Sequence, residues 1–442
     1  MIGAIAVAWI GMVQFAGCNR QPAKPLLLFV SGDTAGWITP CGCTANQSGG
    51  LARRATLIGQ SARGAKTVYA DVGGSASGTG EYQRLKFAAI LRGLNRMGIK
   101  AHNIGGPETK FTPEELSQLA RDTGVTWISA NLIPQPPSAG SESPANSLAS
   151  HVVVEHDGRS LALIGLVDPQ LVTAPGWTTQ DPVAAAVRIV RTVPADAYVV
   201  LAYFDEPGLR KLAEALPEVD AVIGGPTGQA LSPTPVGAAV IASATNKGKF
   251  LTQLQWRMAS QPRLQWQGAD VAEVVSTLDE DPQQVANLGE FYKLLAERDL
   301  TVEQAGLVDR EKIQGQQMRI AGSQSCASCH AEEFNSWTES AHHQAWDVLE
   351  PKGAHFDSYC QQCHATGYGM AGGFINVAQS KDRVDVGCEN CHGPSSAHVA
   401  DPHVRTPFQA SEQCVRCHDH ENSPEFQYDP YWNQVRHGEK TP

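Results

Sequence analysis

The sequence predicts an α/β domain with mixed sheets, followed by a smaller, mainly helical domain. Over residues 25 to about 270, short apolar segments alternate with amphipathic segments, which is the pattern of an α/β domain. After residue 325 strand signals are few, and eight of the eleven cysteines fall there in four Cys-x-x-Cys-His motifs. A chain of 442 residues has room for two or three domains at about 150 residues each.

The elements of the first domain follow from apolar periodicity and from turn and cap signals. Buried strands are predicted at Leu26–Val30, Thr67–Val72, Ala101–Ile104, Thr126–Ala130, Ala197–Phe204 and Ala221–Ile223. A helix is predicted over Glu81–Met97. Two more helices are predicted, one that begins after Thr112 in a capping box and one that begins after Asp181. Asp157 and Gly158 lie between two apolar runs, which indicates a hairpin turn.

The net charge narrows the possible functions, and the changes in composition along the chain predict its division into parts. The net charge of −11 argues against nucleic-acid binding, which requires basic patches. We expect four parts: residues 1–17 as a signal peptide, 18–275 as the α/β domain, 276–320 as a helical linker, and 321–442 as the helical domain.

The first 17 residues are apolar and uncharged, and they end in Ala16 and Gly17 before Cys18. This segment resembles a bacterial lipoprotein signal, which implies lipidation of Cys18 and export to the periplasm or the cell surface with a lipid anchor in the membrane. The alternative is an uncleaved membrane anchor.

The four motifs carry the chemistry of the second domain. Their cysteines are Cys326 and Cys329, Cys360 and Cys363, Cys388 and Cys391, and Cys414 and Cys417, and the histidines that follow are His330, His364, His392 and His418. Two thiols at this spacing reach the two vinyl groups of one haem, and the next residue places its imidazole on the iron. A structural zinc site also uses Cys-x-x-Cys pairs but needs no histidine after each pair. The sequence therefore predicts four c-type haems, which must form most of the core of so short a domain.

Each iron has a sixth coordination position, for which histidine is the expected ligand. Seven further histidines lie in residues 321–442, namely His342, His343, His355, His398, His403, His420 and His437, against one methionine, Met370. Two histidine ligands give a lower reduction potential than a histidine and a methionine.

Residues 323–438 resemble the cytochrome c554 family of tetrahaem cytochromes in three stretches. Trp337, Ser340 and His342 match its W-x-x-S-x-H segment; Gly387 to Pro394, then His398, match its G-C-E-x-C-H-G-P…H segment; and Tyr431, Trp432 and His437 match its closing segment. The resemblance implies that His342, His398 and His437 are distal ligands. For the fourth haem His355 is one candidate, with His343, His403 and His420 as others. In this family one haem can also lack a distal ligand.

The order of segments over residues 25–270 resembles the calcineurin-like metallophosphatases, especially the 5′-nucleotidase branch. Asp33 matches the first aspartate of the family's D-x-H-G, and Asp71 matches that of its D-x-G-D. The positions of the family's other metal ligands hold Ala35, Gly74, Gly106, Pro107, Tyr203, Pro226 and Gly228. Two metal ions held by Asp, Asn and His activate water in this family, so we expect a degenerate domain that has lost phosphatase activity.

Cys41 and Cys43 precede a Gly-Gly-Leu-Ala-Arg-Arg-Ala segment. This pattern resembles metallophosphatase-like lipoproteins found beside or fused to multihaem cytochromes. One possibility is that the two cysteines form a redox pair or hold a metal ion, with His102 or Asp33 as a further ligand to the metal. The alternative is that they are free thiols or form a strained local disulfide.

Taken together, these features predict an exported electron carrier rather than an enzyme, with redox proteins as electron donors and acceptors. The alternative is an oxidoreductase of a small nitrogen or sulfur compound at a haem with an open coordination position. A third hypothesis is a binding module whose N-terminal domain recognises a ligand.

Overall fold

The structure is a computed structural model of the 442-residue chain, and it describes residues 25–40, 47–63, 65–135, 148–156, 158–257, 265–308, 318–406 and 408–438. The predicted signal peptide, Cys18, Cys41 and Cys43 lie outside the described residues.

The N-terminal region contains two large sheets. The strands are β1 (Leu26–Ser31), β2 (Lys66–Asp71), β3 (Ile99–Asn103), β4 (Trp127–Ile128), β5 (Leu132–Pro134), β6 (Leu148–Ala149), β7 (His151–His156), β8 (Arg159–Val167), β9 (Trp177–Thr179), β10 (Ala197–Tyr203), β11 (Ala221–Gly225), β12 (Leu231–Val236), β13 (Ala239–Ser243), β14 (Phe250–Arg257) and β15 (Gln265–Glu273). One sheet has the order β15-β14-β1-β2-β3-β4-β6 and the other has the order β12-β13-β11-β10-β8-β7, while β5 pairs with β9. In the first sheet β15, β14 and β1 are antiparallel and the other strands are parallel. The second sheet has a parallel centre and an antiparallel pair at each edge, so the sheets are mixed, as predicted.

Helices cover the outer faces of both sheets. They are α1 (Leu51–Ser61), α2 (Glu81–Arg96), α3 (Pro113–Thr123), α4 (Pro182–Thr192) and α5 (Glu206–Ala215). Apolar side chains of β1, β2, β8 and β10 fill the space between the sheets; α1 and α2 pack on the first sheet and α4 and α5 on the second. The region is therefore a four-layered sandwich, which buries the continuous apolar strands on both faces.

The cap signals act as predicted. The Thr112 hydroxyl accepts a hydrogen bond from the backbone of Glu115, whose carboxylate in turn accepts one from the Thr112 backbone, before Gly124 ends α3 in the left-handed region. The Asp181 carboxylate caps α4 by accepting from the Ala184 N–H.

The segment 276–320 contains α6 (Pro282–Arg298) and α7 (Val302–Ala305). Helix α6 packs against α2, where the Gln284 and Asn287 amides donate to the backbone carbonyls of Gly93 and Ala89 at 2.9 Å. Phe291 of α6 is fully buried in the core of the first domain. The predicted helical linker thus includes a helix that packs on α2 of the first domain.

The C-terminal region is mainly helical. Its helices are α8 (Ala331–Thr338), α9 (Ser358–His364), α10 (Cys388–His392), α11 (Ser396–Ala400), α12 (Ala410–Cys414) and α13 (Tyr428–Val435). Its own buried apolar cluster is small and centres on Trp346 and Phe374. In the part of the chain that the structure describes, no helix combines the length and the apolar character that crossing a membrane requires.

Candidate haem-binding site

The four motifs lie on short helices and turns that place each histidine one turn after its first cysteine. The second motif forms the end of α9, and the third motif occupies the whole of α10. In the first and fourth motifs the His330 and His418 backbone N–H groups each donate to the carbonyl of the first cysteine at 2.9 Å. All eight motif cysteines have free thiols rather than disulfides.

Three motif histidines face the histidines that the resemblance singles out. The ring centroids of His330 and His398 are 6.2 Å apart, those of His418 and His342 6.3 Å, and those of His392 and His437 5.9 Å. An imidazole nitrogen binds a metal ion at about 2 Å, so two imidazoles on opposite sides of one ion have centroids about 6 Å apart. Each pair therefore has room for one metal ion between its rings.

Hydrogen bonds fix the orientation of four imidazoles in this region, three from the pairs and that of His364. Nδ1 of His398 contacts the Val404 carbonyl oxygen at 2.8 Å, Nδ1 of His437 contacts the Val435 carbonyl oxygen at 2.9 Å, and Nδ1 of His418 contacts the Ser423 hydroxyl at 3.2 Å. Nδ1 of His364 lies 2.5 Å from the carbonyl oxygen of Ala345. Bonding at Nδ1 leaves Nε2 free for a metal, which is the usual arrangement around a metal-bound histidine.

Burial keeps several of these rings neutral. It lowers the pKa of His342 and of His392, and the neighbouring imidazoles lower both further. Burial also lowers the pKa of His418. Only neutral imidazole has a lone pair for a metal, so the environment favours the form that coordination requires.

His364 of the second motif differs from the other motif histidines. Among the described residues, no histidine or aromatic ring faces it in the way that the three pairs face each other. The structure does not bring His355 to it: the His355 ring packs 4.2 Å from Phe356 and 6.0 Å from Trp346.

The other uncommitted histidines have no motif histidine opposite them either. His343 packs 4.3 Å from the Trp337 ring, and its Nδ1 lies 3.5 Å from an Asp385 carboxylate oxygen. His403 and His420 are exposed. Among the residues that the structure describes, no histidine therefore lies opposite His364.

Contacts between thiols show which motifs are neighbours. A hydrogen bond between Cys326 and Cys388 raises the pKa of the first and lowers that of the second to about 6. Cys363 and Cys417 share a similar bond, which raises the pKa of Cys363 and lowers that of Cys417. The Cys388 backbone N–H donates to the Ser323 hydroxyl near the first motif at 3.2 Å, the helices α10 and α12 of the third and fourth motifs contact each other, and Cys363 and Cys417 line the same cavity. The neighbouring motifs are therefore first and third, third and fourth, and fourth and second.

A cavity of about 270 Å³ lies between the second and fourth motifs. Cys363, Cys417, Tyr368, Met370 and Arg416 are among the residues that line it. Thiols at the wall of an open cavity, paired imidazoles with free Nε2 atoms and a small apolar core together fit covalently attached haem groups better than a closed tetrahedral metal site.

The residues at the positions of the family's metal ligands include several at the carboxyl ends of β1, β2, β3 and β10. The Tyr203 ring packs closely against the backbone there, since a Cβ atom added at Gly74 would lie 2.6 Å from that ring. The two oxygens of the Asp33 carboxylate accept hydrogen bonds from Tyr203 at 3.5 Å and from Thr245 at 2.6 Å. Burial, and then the charge of Asp33, raises the pKa of the Tyr203 hydroxyl, so this group stays protonated and donates to the carboxylate.

The remaining acidic residues of that site are engaged by the protein. The Glu108 carboxylate accepts from the backbone N–H groups of residues 74, 75, 76 and 105 at 2.7–3.0 Å. Asp71 accepts from the Ser31 hydroxyl at 2.5 Å, and His102 is fully buried between Ser75 and its own strand. Within the described residues, no group of three or more His, Cys, Asp or Glu side chains is arranged to hold a metal ion.

Sequence reasoning missed two groups that organise the helical region. Glu389, inside the third motif, is buried and accepts from the N–H groups of Ala321, Gly322 and Ser395; its place in the G-C-E-x-C-H segment was the available signal. The hydrogen bond from Tyr82 to Asp357 joins residues 275 positions apart, and no local sequence pattern predicts it.

Comparisons with known proteins match the two regions separately. A family described as Cytochrome c554 and c-prime matches residues 325–393. Cytochrome c-554 of Nitrosomonas europaea is 29% identical over an alignment of 139 residues. The match covers 23% of this chain and 59% of that protein. The chain thus spans about three fifths of the length of this curated relative.

Solved structures resemble the N-terminal region. The 5′-nucleotidase precursor of Thermus thermophilus is 20% identical with a TM-score of 0.53, over 63% of this chain and 60% of that one. A calcineurin-like phosphoesterase of Bacillus subtilis is 16% identical with a TM-score of 0.51, over 62% of this chain and 98% of that one. The chain therefore joins a metallophosphatase-like fold to a C-terminal region similar to cytochrome c554, and the recognition made from the motifs is confirmed.

Proposed function

We propose that this protein is a multihaem c-type cytochrome that transfers electrons between redox proteins. Similarity to cytochrome c554 over the C-terminal region supports the class. The count of four haems is supported by the four motifs, each with two cysteines and a histidine. When bound, the haems supply one-electron chemistry at iron.

The residues of the C-terminal region hold these groups in defined positions. The eight motif cysteines attach them, and His330, His364, His392 and His418 are the proximal ligands. We assign His398, His437 and His342 as distal ligands opposite the first, third and fourth motif histidines, on the basis of the ring distances near 6 Å. The contacts between the motif segments place the first motif beside the third, the third beside the fourth, and the fourth beside the second, which suits electron transfer between neighbouring haems.

The observation that carries this proposal is the presence of three histidine pairs with metal-binding spacing. The test is a pyridine haemochrome assay combined with mass spectrometry and EPR of the oxidised protein. Four haems per chain, about three of them low-spin, are expected. Fewer haems, or iron without low-spin signals, would contradict the proposal.

A second function is favoured by the empty distal side of His364. A haem iron held by His364 would have no second histidine ligand and could bind a small nitrogen or sulfur compound, as an oxidoreductase of such a compound requires. Cyanide is a suitable probe: conversion of one high-spin signal to low-spin supports an open site, whereas four low-spin haems before its addition would exclude this second function.

The remaining assignments are part of the same proposal. We infer export to the periplasm or cell surface, membrane attachment through a lipid on Cys18, and a division into residues 18–275, 276–320 and 321–442. We also propose that the N-terminal domain is a pseudoenzyme, supported by the Asp33 carboxylate, which accepts hydrogen bonds from the Tyr203 and Thr245 hydroxyls. Labelling with radioactive palmitate, compared between the wild type and Cys18→Ser, tests the anchor.

A further inference from the structure

The α/β domain contacts the C-terminal region beside the second and fourth motifs. The Tyr82 hydroxyl of α2 donates to an Asp357 carboxylate oxygen at 2.5 Å. The Trp37 and Tyr359 rings meet edge to face with centroids 5.4 Å apart. Lys247 forms an ion pair with Glu421, three residues after the fourth-motif histidine. These contacts reach the pair of motifs on either side of the 270 Å³ cavity.

Asp357 has a special place in this interface because it caps the helix that carries the whole second motif. Its carboxylate accepts from the Tyr359 N–H at 2.9 Å at the start of α9. By contrast, α10 and α12, which carry residues of the third and fourth motifs, begin without a side-chain cap. The orientation of α9 therefore depends on one buried carboxylate, which is 4% exposed.

Tyr82 is the partner from the other domain that holds this carboxylate. Its side chain is 2% exposed, and its hydroxyl also accepts from the Lys86 ammonium at 3.0 Å. Burial, and then the charge of Asp357, raises the pKa of Tyr82 well above its usual value, so the hydroxyl stays a donor. A buried carboxylate that loses such a donor is destabilised, because it is shielded from water that could replace the hydrogen bond.

We propose that Tyr82 is a positioning residue for the second haem motif and acts through Asp357, so that the α/β domain controls the one haem site without a distal histidine. The proposal rests on the proposed function, because it requires a haem on Cys360 and Cys363. It gives the degenerate domain a role that needs no metal: a fold that has lost its catalytic ligands holds a cytochrome motif in place.

The test compares Tyr82→Phe with Tyr198→Phe in the full-length holoprotein. Tyr198 is a matched control, because it is also a buried tyrosine of the α/β domain, with its hydroxyl bonded to the Val193 carbonyl at 2.7 Å. EPR-monitored redox titration measures the midpoint potential of the high-spin haem. We expect Tyr82→Phe to shift that potential alone, downward, because the carboxylate loses the donor that disperses its charge, and we expect Tyr198→Phe to leave all potentials unchanged.

Hydrogen exchange gives a second readout that does not depend on the haem spectrum. Tyr82→Phe should accelerate amide exchange in residues 359–364, whereas Tyr198→Phe should not. Asp357→Asn, which removes the charge, should raise the potential of the high-spin haem. Unchanged potential and unchanged exchange in Tyr82→Phe, with four haems still attached, would overturn this inference alone, whereas a wild-type protein with fewer haems would overturn the proposed function first.

Discussion

Removing one distal histidine should convert one low-spin haem to high-spin. In the structure His398 lies 6.2 Å from His330, centroid to centroid, while the ring of His364 has no such partner among the described residues. In the wild type about one haem in four is therefore expected to be high-spin. His398→Ala leaves a second iron with a single protein ligand, so the high-spin fraction should double to about two haems in four.

The assay is low-temperature EPR of the oxidised protein, integrated and divided by total haem. His342→Ala and His437→Ala should give the same doubling, because their rings face His418 and His392 at similar distances. Added imidazole should return the second high-spin haem to the low-spin state, which separates loss of a ligand from unfolding.

Two variants serve as matched controls for this series. His355 and His343 lie in the same region, but their rings pack against Phe356 and Trp337. His355→Ala and His343→Ala should keep about one high-spin haem in four. If His355→Ala raised the fraction while His398→Ala did not, the pairing of ligands derived from ring distances would be refuted.

Two further predictions concern stability, measured as the free energy of unfolding in urea. Gly74 and Gly98 have nearly equal positive φ values of 79° and 78°, but only a Cβ at Gly74 meets the Tyr203 ring. Gly74→Ala should therefore destabilise the protein by about 1–3 kcal/mol more than Gly98→Ala. Equal losses would show that Tyr203 does not pack tightly against Gly74. Glu389→Gln should lower the free energy of unfolding by about 2–4 kcal/mol, because an amide NH₂ replaces an oxygen that accepts backbone N–H groups. The control Glu332→Gln, on the exposed face of α8, should change it little. Similar losses for both variants would contradict this role of Glu389.

Much of the site was accessible from the sequence because its chemistry is local. Two thiols and an imidazole within five residues serve one haem, so the motifs could be identified without a fold. The mixed α/β sandwich and the caps at Thr112 and Asp181 also followed from local patterns, because strand and helix periodicities are properties of short segments. The predicted loss of metal ligands likewise rests on comparing single positions with the family's motifs.

Tertiary structure alone decided which groups meet across long sequence separations. It paired His330 with His398 and, among the described residues, left His364 without a facing histidine, a choice that seven additional histidines in one short region left open. It packed the Tyr203 ring against Gly74 beside Asp33, and it joined Tyr82 to Asp357. The physical reason is that chain spacing fixes contacts within a few residues, whereas distant side chains meet only where the packing of whole helices and sheets brings them together.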